Sequence, residues 1–294
     1  ADLETIYTSD SKKYYSTIAM WDIYRGAFPL YTILIPEKSG EFISSLLKYA
    51  EHNGHLPRWF LWGRDSHGMI GNHAVAMVAE AYLKGIGGID GEKAFAAVKA
   101  TLTKDVGDKY DWDVYDKYGY LPADIIDKES VSRTLEATYD DWCAAQMAKK
   151  LGKTEDYHFF INRASYYKNV FDTTTLLMRG KNKDGSWVKP FDPIKIDQKY
   201  YTEANAWQYT WHVQHDVEGL IDLTGGKEAF ATRLDTFFKI KAGKYGDLVN
   251  NVTGLIGQYA HGNEPSEHII YLCNYSGKTH RKQEIIPQIM RRQQ

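Results

Sequence analysis

Chemistry-bearing residues are densest in Tyr200-Tyr201-Thr202-Glu203-Ala204-Asn205-Ala206-Trp207-Gln208-Tyr209-Thr210-Trp211-His212. With Thr202 as a cap and Glu203 as the first residue of a helix, Glu203, Trp207 and Thr210 fall at i, i+4 and i+7 on one face. A carboxylate beside an indole suits sugar chemistry. The ring stacks on the apolar face of a pyranose and the carboxylate transfers a proton. The same spacing also describes a packed aromatic helix with a glutamate in its first turn. That first turn favours a charged carboxylate, whereas a general acid must hold its proton. Desolvation against Trp207 and Trp211 therefore has to dominate if Glu203 is an acid.

Four other segments carry candidate groups. In Trp21-Asp22-Ile23-Tyr24-Arg25, Asp22 and Arg25 lie at i, i+3 on an otherwise apolar helix. They read either as an ion pair or as a sugar-binding Asp22 held in place by Arg25. Gly71-Asn72-His73 enters an Ala-rich helix, and His73 reads as a core or capping histidine rather than a ligand. His215-Asp216-Val217-Glu218 puts acids on two faces of a helix, which suits solvated or paired groups. In His261-Gly262-Asn263-Glu264-Pro265, Pro265 fits a first helical turn and leaves Asn263 and Glu264 in the loop before it. Amide, carboxylate and loop carbonyl oxygens suit a hard cation such as calcium; the alternative is Asn263 as a cap.

These segments must be positioned by helices. Tyr14 to Leu34 reads as one helix bent near Pro29 and ended by Pro36. Further helices are expected at 40–52, closed by Asn53-Gly54, and at 69–86, 91–104, 133–151 and 153–171. Others follow at 203 to about 220, at 227–238, 267–273 and 279–290. Between Lys104 and Lys128 the periodicity fails and a long surface loop is expected. Residues 243–260 read as a Gly-rich loop. No strand alternation is convincing, and no short repeat is visible. The expected class is all-α: about ten helices in hairpin-like pairs, which suits a toroid of helical hairpins, slightly short of the full (α/α)6 barrel.

Composition narrows the function. The chain has 294 residues, 43% of them hydrophobic, enough for a sizeable core. Net charge is −2 with no basic block, which argues against a nucleic-acid partner. No apolar run is long enough to span a membrane. Cys143 and Cys273 are too few and too far apart for a disulfide framework or a zinc site. The aromatic share of 14%, with eight Trp and twenty-two Tyr, suits carbohydrate binding and large helical cores alike. The start, Ala-Asp-Leu-Glu, is not a signal peptide.

Six segments in order resemble glycoside hydrolase family 92. They are Met-Trp-Asp-Ile-Tyr-Arg (20–25), Leu-Pro-Arg-Trp (56–59), Met-Ile-Gly-Asn-His-Ala (69–74), Thr-Glu-Ala-Asn-Ala-Trp-Gln-Tyr-Thr-Trp (202–211), His-Asp-Val-Glu-Gly-Leu (215–220) and His-Gly-Asn-Glu-Pro-Ser (261–266). The resemblance runs from about Tyr15 to the end and implies a calcium-dependent, exo-acting, inverting α-mannosidase acting on mannose-containing glycans. It further implies that residues 1–294 are a single, partial (α/α)6 catalytic domain without its final helices or the family's N-terminal β-sandwich. Glu203 would be the general acid. Asp22 would bind mannose in the −1 subsite, with Arg25 and Trp207 as further substrate-binding residues. His261 would lie near the −1/+1 boundary, Gly262 on the +1 side, and Asn263 and Glu264 near calcium. The family's base comes from a Gly-Asn-Asp-Asp-Cys-Gly stretch that does not occur in these 294 residues, so the piece alone is expected to have little or no activity. Gly262 replaces a glutamate of α-1,2-acting members and opens the +1 side, and Glu267 replaces a histidine, which leaves the linkage undecided. Export to the periplasm or exterior is implied for the intact parent; the oligomeric state is not. The competing expectations are a glycan-binding remnant without catalysis and another (α/α)-barrel glycosidase.

Overall fold

A computed structural model of the chain describes residues 13–104, 111–241 and 252–292. These residues are mostly helical, the all-α class expected, with three two-residue antiparallel ribbons. Contacts divide the chain into two compact units: Ala1–Lys117 with Glu136–Ser165, and Tyr118–Leu135 with Tyr166–Gln294.

In the first unit, the expected helix at 14–34 is two short ones, α1 (Met20–Ile23) and α2 (Ala27–Leu34), separated at Gly26. Pro29 lies in the first turn of α2, where no helical N–H is needed, so it bends nothing. For the same reason Pro36 starts the next helix, α3 (Pro36–Asn53), rather than ending the previous one. Gly54 closes α3 at φ 81°. A ribbon of β1 (Phe60–Leu61) and β2 (Arg64–Asp65) leads to α4 (Ala74–Leu83), and α5 (Gly91–Thr103) is capped by Asp90. α3 packs on α2, α4 and α5. Its face of Ile43, Leu46, Tyr49 and Ala50 is buried, and each large apolar side chain contributes about 1.5–3 kcal/mol. Part of the expected loop at 104–128 is helical, α6 (Trp112–Tyr118); residues 105–110 lie outside the described residues.

α7 (Ser130–Lys150) and α8 (Thr154–Arg163) follow. Arg163, fully buried, donates to Asp141 at 3.1 Å and to the Leu102 carbonyl at 3.1 Å. Its guanidinium also lies over the Trp112 and Tyr115 rings. This buried charge is paired and stacked, as it must be to be tolerated.

In the second unit, β3 (Phe171–Asp172) pairs with β4 (Leu177–Met178). The long helix expected from Glu203 is instead two short ones, α9 (Ala206–Tyr209) and α10 (Val217–Leu223). α11 (Lys227–Phe237) buries Phe230, Leu234 and Phe237, and Trp211 packs edge-to-face against the Phe230 and Phe237 rings. β5 (Leu255–Ile256) pairs with β6 (Tyr259–Ala260), and residues 243–251 of the expected Gly-rich loop lie outside the described residues. Two 3-10 turns, Glu264–Ser266 and Ile269–Asn274, precede α12 (Thr279–Arg292). Cys143 and Cys273 are both reduced and buried. No helix among the described residues is long and apolar enough to cross a membrane.

Candidate active site

Glu203 does not begin a helix. The N-cap of α9 is Asn205, whose side chain accepts from the Gln208 N–H at 3.1 Å. Gln208 Oε1 in turn accepts from the Asn205 N–H at 3.0 Å, which completes a capping box. Thr202, the expected cap, has its own N–H bound to Ser132 Oγ at 2.8 Å. Glu203 therefore lies in the turn before α9, and the first-turn objection to an acid does not arise. It also does not share a helix face with Trp207.

The backbone of that turn is unusual. Glu203 has φ 50°, in the left-handed region that L-residues enter at a cost. Two side chains pin it on either side. Ser132 holds the Thr202 N–H, and Asn263 Nδ2 donates to the Glu203 carbonyl at 3.0 Å. An amide cluster braces the same segment: Asn205 Nδ2 donates to Gln258 Oε1 at 2.8 Å, and Gln208 Nε2 to the Gln258 carbonyl at 3.0 Å. The Glu203 side chain is part-exposed.

The structure thus joins two segments that are sixty residues apart, as Asn263 is 3% exposed and reaches Glu203. Asn263 immediately precedes the 3-10 turn and its side chain makes no capping bond. Its Oδ1 is buried and accepts no hydrogen bond, and a buried amide oxygen left so needs a partner. With the part-exposed Glu264 carboxylate next in sequence, this donor set fits a hard, oxygen-seeking cation. Among the described residues there is no group of three or more His, Cys, Asp or Glu that could hold a metal. A cation here would therefore depend on amide, carbonyl and non-protein oxygens. His261 is part-exposed, stacks with Tyr259 and bonds to its hydroxyl through Nδ1 at 2.7 Å, and Gly262 beside it is exposed.

Trp207 departs from its expected role. It is 8% exposed, belongs to the apolar core, and one ring face carries the Arg233 guanidinium at 4.7 Å. That face is not available as a sugar platform. Burial pushes the Arg233 guanidinium down to about 10. Asp216 is a cap for α10, bonded to the Gly219 N–H at 3.0 Å and the Tyr167 hydroxyl at 2.6 Å.

Asp22 and Arg25 belong to the first unit. Asp22 is part-exposed on α1. Arg25 turns its guanidinium to Glu136, 3.7 Å away, and lies over the Trp21 and Tyr24 rings. Trp21 Nε1 donates to both Glu136 oxygens at 2.9 and 3.1 Å. Glu136 Oε2 is also 2.9 Å from His73 Nε2, and His73 Nδ1 is 3.0 Å from Asp140 Oδ1. Asp140 further accepts from the Asn72 N–H at 2.7 Å. His73 is thus a core histidine, as its surroundings in the sequence suggested, with two carboxylate partners that sequence reading missed. Burial alone would push its pKa down. The carboxylates of Asp140 and Glu136 more than reverse this and hold it at about 9. Gly71, at φ 65°, leaves the space: a Cβ there would lie 2.6 Å from His73 Nε2.

The profile of the glycosyl hydrolase family 92 catalytic domain matches residues 2–293. The chain belongs to glycosyl hydrolase family 92. A family 92 α-mannosidase of Bacteroides thetaiotaomicron, solved with mannoimidazole, is 36% identical with a TM-score of 0.90; the match covers 98% of this chain and 39% of that one. A family 92 inverting mannosidase of the same organism is 33% identical with a TM-score of 0.79, covering 89% and 37%. An uncharacterized secreted glycosidase of Arthroderma benhamiae is 27% identical over 272 residues, 79% of this chain and 32% of that protein. The chain therefore spans well under half the length of these relatives. Within family 92, its fold is that of the matched part of the two solved mannosidases.

Proposed function

We propose that this family 92 chain is part of an exo-acting α-mannosidase in which Glu203 is the general acid. The observation that carries this reading is the Glu203 turn. A part-exposed carboxylate sits at φ 50° on a backbone pinned from both sides. Backbone strain of this kind costs about 1–3 kcal/mol and collects at functional sites. Names of the solved relatives, an α-mannosidase and an inverting mannosidase, support the substrate and the stereochemistry. The substrate is then the non-reducing-end mannose of a glycan. Glu203 protonates the leaving oxygen while an aspartate outside these residues activates water, the two carboxyls standing about 6.5–9.5 Å apart. Asp22 accepts hydrogen bonds from the sugar hydroxyls, and His261 and Gly262 border the leaving-group side. Asn263 Oδ1 and Glu264 would hold calcium, which supplies a Lewis-acid contact to the sugar oxygens when bound. Export of the parent protein is proposed on the name of the secreted fungal relative.

The test is release of mannose from an aryl α-mannoside by a parent chain that includes the paired-Asp stretch, with calcium and after chelation. Glu203→Gln should lower kcat by about a hundredfold or more, and chelation should lower the wild-type rate. A loss of only a few-fold in Glu203→Gln would remove the acid assignment. Mannose binding without turnover would favour a glycan-binding module instead.

A further inference from the structure

The cluster around His73 contains four ionisable side chains that no step above uses, and it touches the helix bearing Asp22. α1 is only four residues long and its N-cap Ala19 makes no side-chain cap bond, so its few local bonds hold it only weakly. Its position comes from tertiary contacts. The Trp21 indole N–H is shared between the two oxygens of Glu136, and Arg25 reaches the same carboxylate while its Nε donates to the Trp21 carbonyl at 3.1 Å. Trp21 and Arg25 flank Asp22 on either side in sequence, so Glu136 holds α1 and the turn after it on both sides of the binding aspartate.

Glu136 is itself held from behind. It also contacts His73, whose second nitrogen is bound to Asp140. Each of these contacts needs a proton on the imidazole, because a carboxylate only accepts. The ring is therefore the doubly donating imidazolium. Two cations, His73 and Arg25, then face two carboxylates, Glu136 and Asp140, and the buried charges balance. Tyr24 stacks on the ring at 3.8 Å and fixes its plane, and Gly71, without a Cβ, admits the Nε2 edge of the ring closely.

We infer that His73 and Glu136 are positioning residues for the sugar-binding aspartate, acting through the Trp21 indole and Arg25 on the Asp22 helix. Neither touches substrate in this arrangement; they set where Asp22 is presented. The inference rests on Asp22 binding mannose, as proposed above.

The experiment is a set of double-mutant cycles in the parent enzyme, reading kcat and KM for an aryl α-mannoside. Trp21→Phe keeps the ring's packing and removes only the N–H that Glu136 accepts. His73→Gln removes the charge and one of the two bonds. Each should raise KM about tenfold or more with a smaller change in kcat. Combined with Asp22→Asn, neither should add to the effect of Asp22→Asn alone, because all act through one contact with the sugar. Glu136→Gln, which keeps an oxygen for the indole, should lie between wild type and Glu136→Ala. If Trp21→Phe leaves KM unchanged, or its effect multiplies fully with that of Asp22→Asn, the inference fails. If Asp22→Asn alone is without effect, the sugar-binding role of Asp22 fails instead. Should His73→Gln not fold, Trp21→Phe decides.

Discussion

At His73, imidazole and carboxylates meet at 2.9–3.0 Å in a site closed to water. At Glu203, the carboxylate is part-exposed, the backbone is forced to φ 50°, and the amide that pins it leaves a buried oxygen without a hydrogen bond. One region pairs its buried carboxylates with cations, and the other holds strain and an unmet acceptor. The difference follows from what each must do. A group that positions others gains from complete satisfaction, because a buried network with every member paired has one arrangement. A group that exchanges protons with a substrate must keep contacts open for it, and the surroundings supply the rigidity.

The contrast is broken most easily by removing a partner on the satisfied side. Glu136→Ala leaves the His73 cation with one carboxylate and takes the acceptor from Trp21 Nε1. Breaking a buried charge pair in this way costs about 3–5 kcal/mol, while Glu203→Ala should change stability by less than about 1 kcal/mol. Urea melts of both variants measure the two values. Similar losses at the two sites would mean that the regions do not differ as described.

A gentler perturbation is pH. His73 is raised from its ordinary 6.5 to about 9 in the folded chain. The folded state then binds the proton more tightly than the unfolded state, so stability falls as pH rises between these values. Its contribution is fully present below pH 6.5 and is lost as pH passes through about 9, a matter of a few kcal/mol. Thermal melts should show Tm declining over that window, with the decline reduced in His73→Gln. A flat wild-type profile would contradict the charged imidazole.

Much of this was legible in the sequence, and the misses have physical causes. The helices at 91–103, 227–237 and 279–292 match their periodicity within two residues, because their apolar faces alone decide burial. The break of the Glu203 helix was written in Asn205 and Gln208, an N-x-x-Q capping box that outcompetes Thr202. Thr202 Oγ1 is buried and makes no capping bond, while its N–H is bound by Ser132, seventy residues away, which no local pattern reveals. The His73 partners had a visible signal too. Glu136 and Asp140 stand four apart on α7, on a face with buried apolar neighbours, and buried acids at that spacing call for a shared cation. What no spacing shows is which cation. The grip of Asn263 on the Glu203 carbonyl is likewise a long-range bond, although the resemblance had placed both residues in one site.

The smallest effect is also the sharpest, because it turns on a sign. In an ordinary turn or helix, glycine is less stable than alanine by about 0.5–1 kcal/mol, since it loses more backbone freedom on folding. At φ 50° the order should reverse, as the Cβ of alanine meets the following carbonyl and costs about 1–2 kcal/mol that glycine does not incur. Glu203→Gly should therefore be more stable than Glu203→Ala by about 1 kcal/mol, and neither should hydrolyse. The same comparison at Glu136, inside α7, should favour alanine. Paired melts at the two positions give two signs, and like signs would remove the strain from the Glu203 turn and with it the main support for its role.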